Sequence, residues 1–280
     1  MNKIELNVDK PQKLSDILYN YGLKPSQVNK LFKQKDVRVD NVRQSADCFV
    51  LSGQKITFFI NEEVSKKFEI FYEDENIYII NKFEGIEVTG EQGIEGQLKN
   101  AIAVHRLDRN TKGLLIMAKN KESEEILLKA FKDRSITKKY ICEVVGKTNF
   151  KNEVYSAYLF KDAEKSLAYV YKIQRPHSVE IKTIFNTLHN GSSTSIVECQ
   201  LVTGKTHQIR AHLSFLGHAI LGDGKYGKNE DYKKYNEKSQ KLHCYYLKLN
   251  GLYGKLLYLN NKEFTLYPSW FNKEKILKSN

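Results

Sequence analysis

The segment HRLDRNTKGLLIMA, residues 105–118, joins a run of polar side chains directly to an uninterrupted apolar run. Its last five residues are typical of a strand that is buried on both faces. Arg106 and Arg109 flank Asp108, and Gly113 can adopt the backbone angles of a sharp turn. The pattern predicts a charged turn held against the core with Asp108 at its centre. The alternative is a basic surface turn whose aspartate caps the following backbone.

Composition and charge limit the kinds of partner. The 280 residues include 45 Lys and Arg against 33 Asp and Glu, which gives a formal net charge of +12. A field of this sign attracts polyanions, and the 17 Tyr and 14 Phe supply ring faces on which unstacked bases can lie. A nucleic-acid partner is therefore favoured over a mere lysine-rich bias. The hydrophobic content of 41% is enough for a core, so the composition is not that of a disordered chain.

Cysteine usage and hydropathy bear on the cellular compartment. The four cysteines are scattered without a Cys-x-x-Cys pair, so neither a disulfide framework nor a thiolate zinc site is indicated. Each is expected to be a small core residue. Residues 1–7 lack the apolar core of a signal peptide, and no apolar run approaches the roughly 18 residues of a membrane span. We expect a cytoplasmic protein without a membrane partner.

The first sixty residues predict a small separate module. Apolar side chains at helical spacing indicate a first helix that ends at Gly22 and a second that begins near Ser26. Alternating apolar residues then predict a hairpin with its turn at Asp40-Asn41 and a further strand that ends at Ile60. The apolar positions of the helices are Leu14, Ile17, Leu18 and Tyr21 in the first and Val28, Leu31 and Phe32 in the second.

The rest of the chain predicts a larger domain. We assign residues 1–62 to the module, 63–67 to a polar linker and 68–280 to this domain. Many strands and few helices indicate an α+β fold on a largely antiparallel sheet. Residues 225–241 are polar and predict a solvated loop or a frayed helix. The predicted strands lie in 68–82, 138–146, 154–160, 166–174, 179–187, 194–202 and 243–259, and the clearest helix spans 121–132.

Two helices of this domain have predicted buried faces. In the helix at 121–132 the buried residues are Ile126, Leu127, Ala130 and Phe131, and in a helix after the turn at Gly204 they are Ile209, Leu213 and Leu216. Arg210 lies beside the second apolar stripe, where an unpaired guanidinium would be costly. It therefore requires a carboxylate partner, for which we select Asp108.

Two dense stretches resemble motifs of the RluA-type pseudouridine synthases. HRLDRNTKGL at 105–114 resembles the central motif of that family. LVTGKTHQIRAHL at 201–213, followed by LGHAILGDGKYG at 216–227, resembles its later motif. The two stretches are about a hundred residues apart, and their order agrees with that of the family.

Further stretches extend this resemblance over residues 68–250. YED at 72–74 through NKFEG at 81–85 resembles the opening motif of the family, and KKYI at 138–141 resembles the stretch that carries its active-site tyrosine. KDVRVDN at 35–41 makes the N-terminal module resemble the alpha-L RNA-binding module. Several ordered matches are far more specific than any single one.

The resemblance implies an enzyme that isomerises uridine to pseudouridine in RNA without a metal or another cofactor. It implies a catalytic domain on a mainly antiparallel mixed sheet with a central RNA-binding cleft, preceded by the alpha-L module. Asp108 matches the catalytic carboxylate of the family, Arg210 its basic partner, and Tyr140 the tyrosine that packs on the target base. The cation beside Asp108 would favour the ionised carboxylate. We expect a monomer whose substrate is 23S ribosomal RNA, with tRNA as the second choice.

Basic residues around the motifs are expected to contact RNA. Arg106 would occupy the space of the extruded uridine or bind a phosphate, and His105 would position the turn through a hydrogen bond. The complete set of expected RNA contacts is Arg106, His105 and Arg109 at the turn, and Lys30, Lys33, Lys35 and Arg38 on the module. The chain departs from the family pattern at Phe83, Lys112 and Cys244, where proline, a small residue and alanine are usual.

Two other functions compete with this interpretation. A metal-dependent hydrolase is disfavoured, because His207 and His212 are five residues apart and do not form a helical ligand pair. The further candidates for such a site are His105, His218, Asp108 and Asp223. An RNA-binding or ribosome-assembly protein with the same fold but no catalysis is the other alternative, and the presence of Asp108, Tyr140 and Arg210 together argues against it.

Overall fold

A computed structural model describes residues 2–23, 25–60, 67–228, 234–237 and 239–272. Contacts divide the chain into two compact units, 1–67 and 68–280, and each has its own hydrophobic core. Of the linker predicted at 63–67, all residues but Lys67 lie outside the described ranges. None of the helices in these ranges is long and apolar enough to cross a membrane.

The N-terminal unit consists of two helices, a four-stranded sheet and a two-stranded ribbon. Its elements are β1 (Asn2–Asn7), β2 (Gln12–Lys13), α1 (Leu14–Asn20), α2 (Pro25–Gln34), β3 (Val37–Val39), β4 (Val42–Gln44), β5 (Phe49–Val50) and β6 (Lys55–Ile60). The sheet is antiparallel in the order β1-β6-β3-β4, and β2 pairs with β5. Both predicted helices are confirmed. The strand β1 is not predicted from the sequence, because it is defined by pairing with β6 at the opposite end of the unit.

Local sequence explains the hairpin and the second helix of this unit. Asp40 and Asn41 have φ angles of 46° and 68°, the left-handed pair that a two-residue turn between β3 and β4 requires. The three apolar residues predicted to be buried in the second helix do face the core. Lys30 and Lys33 consequently lie on the exposed face of α2.

The C-terminal unit contains a large sheet with helices against it. Its elements are β7 (Phe68–Glu73), β8 (Ile77–Lys82), α3 (Ile94–Gln97), β9 (Ile102–Ala103), β10 (Lys112–Ala118), α4 (Lys121–Lys132), β11 (Thr137–Val145), β12 (Lys151–Asp162), β13 (Leu167–Tyr171), β14 (Val179–Asn190), β15 (Thr194–Leu201), α5 (Gln208–Phe215), β16 (Leu242–Lys248) and β17 (Glu263–Thr265), with a 3-10 helix at Gly254–Leu259. The order across the sheet is β13-β12-β14-β15-β11-β16-β10-β8-β7, and β17 and β9 pair with β16 and β10. The unit therefore has the α+β organisation that the sequence predicts.

The sheet is largely antiparallel, as predicted, and β10 lies near its centre. Among the described strands only β10 and β16 pair in parallel. Residues 114–118 of β10 have no exposed surface, which confirms the buried strand predicted from their apolar run. The apolar face of α4 packs on this core, although Phe131 and Leu216, which were expected to be buried, are only half-buried.

The prediction of strand structure over 243–259 is wrong beyond Lys248. Gly251 and Gly254 have φ angles of 69° and 53°, so the backbone turns out of the extended conformation. The following 3-10 helix has three residues per turn, which brings Leu256 and Leu259 to one face, and both are fully buried. In the polar region at 225–241, residues 229–233 and 238 lie outside the described ranges.

Candidate active site

Asp108 lies in the loop of residues 104–111, between β9 and β10. The buried side chains of Val104 and Leu107 anchor this loop in the core. The Thr111 N–H donates a hydrogen bond of 3.0 Å to the Asp108 carbonyl oxygen, which closes the turn. The polar turn is thus fixed by apolar residues on both sides of Arg106, and its aspartate is presented from a rigid backbone.

Gly113 lets the chain pass from this turn into β10. Its φ angle of 107° is one that side chains rarely adopt, as the sharp turn in the sequence predicts. A second constraint comes from packing. Because β10 and β16 pair in parallel here, a Cβ atom at Gly113 would lie 2.2 Å from the carbonyl oxygen of Cys244. Any side chain would therefore displace the turn that carries Asp108.

Lys82 holds the inner side of the loop, although the sequence analysis assigns it no role. The side chain is fully buried at the end of β8, and burial lowers its pKa to about 7, against the opposing effect of nearby carboxylates. Its contacts offset part of the cost of burying the amine and fix the backbone of the turn. Nζ donates at 2.8–3.0 Å to the carbonyl oxygens of Phe83, Asp108, Arg109 and Thr111.

Arg210 of α5 connects two carboxylates. Its Nη1 donates to Oδ2 of Asp108 at 3.0 Å, which confirms the pairing predicted from the sequence. Its Nε and Nη2 donate to the two carboxylate oxygens of Asp223 at 2.7 and 2.8 Å. This fork of two parallel bonds is the stronger contact, and the sequence analysis did not identify it. A guanidinium has five N–H donors, which is the signal that one carboxylate would not suffice.

The three charges differ in their access to solvent. The Asp223 side chain has no exposed surface, that of Arg210 is 6% exposed, and that of Asp108 is 18% exposed. Burial opposes the charge on Arg210, but the bonds to Asp223 and Asp108 more than compensate and raise its pKa above the ordinary value. Arg210 is therefore a permanent cation, and Asp108 is the carboxylate of this group that a ligand can reach.

His207 and Tyr226 form a second contact to Asp108, which the sequence analysis also missed. His207 Nε2 lies 4.0 Å from Oδ2 of Asp108, and His207 Nδ1 lies 2.9 Å from the Tyr226 hydroxyl. That hydroxyl accepts the N–H of Ala168 at 2.8 Å, so its own proton is free to be donated to Nδ1. Burial lowers the His207 pKa. When Nδ1 accepts the hydroxyl proton, the neutral ring carries its own proton on Nε2, the nitrogen that lies 4.0 Å from Asp108.

Tyr140 stands on β11, with Cys199 of β15 and Cys244 of β16 as its neighbours in register. Its side chain is almost entirely buried and lines the same cavity as Asp108. Burial raises the pKa of Tyr140 well above the ordinary value, and the nearby Cys244 and Asp108 act in the same direction. The hydroxyl therefore keeps its proton at neutral pH and can donate it, but it is a poor general base.

Of these residues, Asp108, Tyr140, His207 and Arg210 line a cavity of about 250 Å³. Three segments line most of it, namely 105–108 of the turn, Lys138 and Tyr140 of β11, and 204–210 at the start of α5. Asp108 is the only carboxylate among the lining residues, and it faces several cations. The cavity has an aromatic ring, a carboxylate and a guanidinium in one partly enclosed space, which suits a planar neutral ring attached to an anionic backbone.

Only some of the residues predicted to contact RNA line this cavity. Arg106 is exposed and lines the cavity, whereas the Arg109 side chain donates to the Gly85 carbonyl oxygen at 3.4 Å and is not part of the lining. His105 Nε2 accepts the N–H of Ile116 at 3.1 Å, which confirms its predicted part in positioning the turn. Four predicted contacts lie in the N-terminal unit: Lys30, Lys33 and Lys35, all exposed, and the half-buried Arg38, whose guanidinium lies over the Phe59 ring.

The histidines considered for a metal site are separated by their own contacts. His212 lies 3.2 Å from the Thr183 hydroxyl, and His218 lies 3.1 Å from the Val145 carbonyl oxygen. His207 is directed at Tyr226. Within the described ranges, no three His, Cys, Asp or Glu side chains are grouped so that they could hold a metal ion.

The chain is similar in sequence and in fold to known proteins. The family model described as RNA pseudouridylate synthase matches residues 76–215, half of the chain, and the matched stretch contains Asp108, Tyr140 and Arg210. A solved structure of human RNA pseudouridylate synthase domain containing 4 has a TM-score of 0.59 and 24% identity, and it covers 72% of this chain and 89% of its own. This structural likeness concerns the fold. The chain belongs to the RNA pseudouridylate synthase family and is an isomerase that acts on RNA.

Several curated relatives extend the similarity beyond the matched stretch. An uncharacterized RNA pseudouridine synthase of Bacillus subtilis, YlyB, is 28% identical over 81% of this chain and 84% of its own length. The ribosomal large subunit pseudouridine synthase C of Vibrio cholerae is 28% identical over 77% of each chain. The mitochondrial tRNA pseudouridine(32) synthase of Saccharomyces cerevisiae is 32% identical over 70% of this chain, which spans 46% of the yeast protein.

Proposed function

We propose that this enzyme isomerises uridine in large-subunit ribosomal RNA, with Asp108 as the catalytic carboxylate. The observation that carries the proposal is the ion pair of Asp108 and Arg210 at 3.0 Å in a cavity that Tyr140 also lines. Tyr140 packs against the uracil ring, and Arg210 holds the Asp108 carboxylate in place through its hydrogen bond. Arg106 and the exposed lysines of the N-terminal unit bind the RNA backbone.

The reaction needs little more than these groups. The bond between N1 of uracil and C1′ of ribose breaks, the base turns while it remains bound, and a bond forms between C5 and C1′. The C5 hydrogen leaves as a proton and N1 gains one, so the atoms balance. An ionised carboxylate next to the anomeric carbon acts as nucleophile or stabilises the positive charge that develops there. Tyr140, which retains its proton, contributes its ring face and a hydrogen-bond donor.

Access to the base requires that the uridine leave its stack. Extrusion costs a few kcal/mol, which contacts to the RNA must supply. Arg106 is exposed at the rim of the cavity, and the described residues include no partner for its side chain. We assign it to the space that the uridine leaves or to a phosphate beside it. The N-terminal unit, which we propose to be an alpha-L module, adds contacts through Lys30, Lys33, Lys35 and Arg38.

The choice of substrate rests on the relatives and on the N-terminal unit. The Vibrio cholerae relative is named for the large ribosomal subunit and matches 77% of this chain. A tRNA substrate is the second candidate, because the yeast relative is named for tRNA and has the higher identity of 32%. Ribosomal RNA as substrate implies an enzyme of the cytoplasm. We propose a monomer, since Asp108, Tyr140 and Arg210 come together within one chain.

Tritium release from RNA labelled at C5 of uridine tests the activity and the role of Asp108 together. Formation of the C5–C1′ bond expels the C5 hydrogen, so wild type should release tritium and Asp108→Asn should release none. Asp133→Asn is a matched control, because Asp133 is an exposed carboxylate at the end of α4 that forms an ion pair with the exposed Lys129. Mapping the product in ribosomal RNA and tRNA identifies the substrate. Salt-sensitive RNA binding without release by wild type would instead support a binding protein.

A further inference from the structure

A second cavity opens beside the catalytic one, and we propose that it binds the backbone phosphates of the nucleotides on one side of the target uridine. We call this cavity, lined by parts of 131–138 and 200–205 together with His105, the flanking subsite. The proposal rests on the proposed function, because it assumes that the substrate strand passes through the catalytic cavity. It adds a contact site for RNA that none of the reaction residues provides.

The two cavities are adjacent, because they share part of their lining. The flanking subsite has a volume of about 460 Å³, and it lies in the same unit as the catalytic cavity. The residues that line both are His105, Lys138, Leu201, Gly204 and Lys205. An RNA strand whose uridine occupies the first cavity must leave it in some direction, and the shared lining residues place the second cavity on one such path.

The charges around the flanking subsite are uncompensated. Its basic lining residues are Lys132, Arg134, Lys138 and Lys205, and no carboxylate is part of the lining. Within the described ranges, Lys132, Arg134 and Lys205 have no ion-pair partner. Other basic residues of α4 do have one, since Lys121 pairs with Glu124 at 2.8 Å and Lys129 with Asp133 at 2.7 Å. Cations left without partners around a cavity form a site for a polyanion.

Arg134 gives an independent indication that this arrangement is used. It is the second residue after α4 and has a φ angle of 58°, the left-handed conformation in which helices commonly end on glycine. An arginine is strained in this conformation relative to glycine. Glycine would satisfy the backbone conformation at this position. The residue present is instead an arginine, whose long cationic side chain lines the cavity.

Lys138 is the residue at which a bound phosphate would have the greatest effect. It lies where the two cavities meet, with Nζ 5.1 Å from the centre of the Phe131 ring. Burial lowers its pKa, and the nearby Cys244 acts in the opposite direction. A phosphate between Lys138 and Lys205 would neutralise this cation. Phe131 and Leu201 offer apolar surface for the attached sugar or base.

The salt dependence of RNA binding tests the charges of the flanking subsite. The variant is Lys132→Gln with Arg134→Gln, and the matched control is Lys121→Gln with Lys129→Gln, which removes the same charge from the solvent face of α4. For a single-stranded RNA, each lost phosphate contact should reduce the slope of log affinity against log salt by about 0.7. We expect the variant to show a reduction of about 1.4 and to raise KM about tenfold for each contact. Equal behaviour of variant and control would overturn the proposal.

Truncated RNAs test the position of the contact. Two RNAs are compared, one beginning at the target uridine and one ending at it, in fluorescence-anisotropy binding and in tritium release, so that each keeps the uridine and lacks the nucleotides on one side. The variant should lose affinity and activity on only one of the two RNAs, the one that keeps the nucleotides bound by the flanking subsite. On the other RNA, variant and wild type should behave alike. A penalty that persists with both would indicate general attraction and would overturn the flanking subsite. Absence of tritium release by wild type on every RNA would instead refute the proposed function, while the binding slopes would still report on the subsite.

Discussion

The segment around Asp108 and the segment around Asp223 contact the same guanidinium in different ways. Asp223 is fully buried, takes two bonds from Arg210 and accepts the backbone N–H groups of Lys225 and Tyr226 at 3.0 and 3.2 Å. Asp108 takes one bond from Arg210 and keeps an exposed edge in the cavity. A carboxylate whose acceptor sites are filled can only orient its partner. Asp108, which has free acceptor capacity, can react with a ligand. Asp223 therefore supports the structure of the site, and Asp108 is available for the chemistry.

Substitution of Asp108 by asparagine should have the largest effect on activity. Loss of the negative charge removes the nucleophile or charge stabiliser, and we expect the rate of tritium release to fall about 10⁴-fold or more. The amide oxygen can still accept from Arg210, so the free energy of unfolding should change by less than about 1 kcal/mol. Thermal unfolding and single-turnover release measure the two quantities. A variant that loses stability as strongly as activity would remove the distinction between the two carboxylates.

Asp223→Asn should, in contrast to Asp108→Asn, greatly lower the free energy of unfolding. The change leaves a buried guanidinium with half of its fork unmatched, and breaking such a pair typically costs about 3–5 kcal/mol. Urea unfolding at pH 7 measures this loss, with Asp133→Asn as the control because Asp133 is exposed and forms an ion pair with the exposed Lys129. Activity should also fall, since Arg210 would no longer be held against Asp108. Wild-type stability of Asp223→Asn would show that the buried carboxylate does not support the site.

Acid should release the helix that carries Arg210. Burial lowers the pKa of His212 on α5 from 6.5 to about 4, so the unfolded chain binds a proton that the folded chain excludes between these pH values. Stability is therefore retained above pH 6.5 and lost as the pH falls, by about 2 kcal/mol at pH 5 and about 3 kcal/mol at pH 4. The buried His243 has a pKa lowered to about 4 by burial and acts in the same direction.

Urea unfolding at pH 7 and pH 5 measures this loss, and His212→Asn should reduce the difference between the two pH values. The exposed His177 provides the matched control, since His177→Asn removes a histidine outside the core. Both variants must be compared with wild type at each pH, so that any loss of packing at pH 7 is subtracted. An unchanged acid response of His212→Asn would mean that α5 does not respond to this histidine.

Patterns that extend over neighbouring residues predicted much of this architecture. The apolar run at 114–118 identifies the central strand, and helical spacing identifies α4, because both signals depend on local burial. The bond of Arg210 to Asp108 followed from the cost of a buried cation, although the two residues are 102 positions apart. The motif resemblance singled out Asp108, Tyr140 and Arg210 together, and all three line one cavity.

Interactions that depend on three-dimensional packing were not predictable in the same way. Lys82 meets the carbonyl oxygens of Asp108 and Arg109 across 26 and 27 positions, and backbone acceptors leave no mark in a sequence. Asp223 lies 13 positions after Arg210, beyond the end of α5, so helical spacing does not connect them. The 3-10 helix at 254–259 has an apolar pattern that also fits a strand. In each case the missing information was the position of a distant backbone.

Tyr226→Phe should have the smallest effect and would test how the two segments are coupled. Tyr226 follows Asp223 closely in the chain, yet its hydroxyl fixes His207, which faces Asp108. Without the hydroxyl the Ala168 N–H loses its acceptor, which costs about 1 kcal/mol, and His207 is free to take the other tautomer. We expect kcat to fall about threefold to tenfold with KM nearly unchanged, because the imidazole proton no longer faces the carboxylate. Tyr169→Phe, at an exposed tyrosine next to Ala168 on β13, is the matched control in steady-state kinetics, and an equal loss there would mean that the strand rather than the hydroxyl matters.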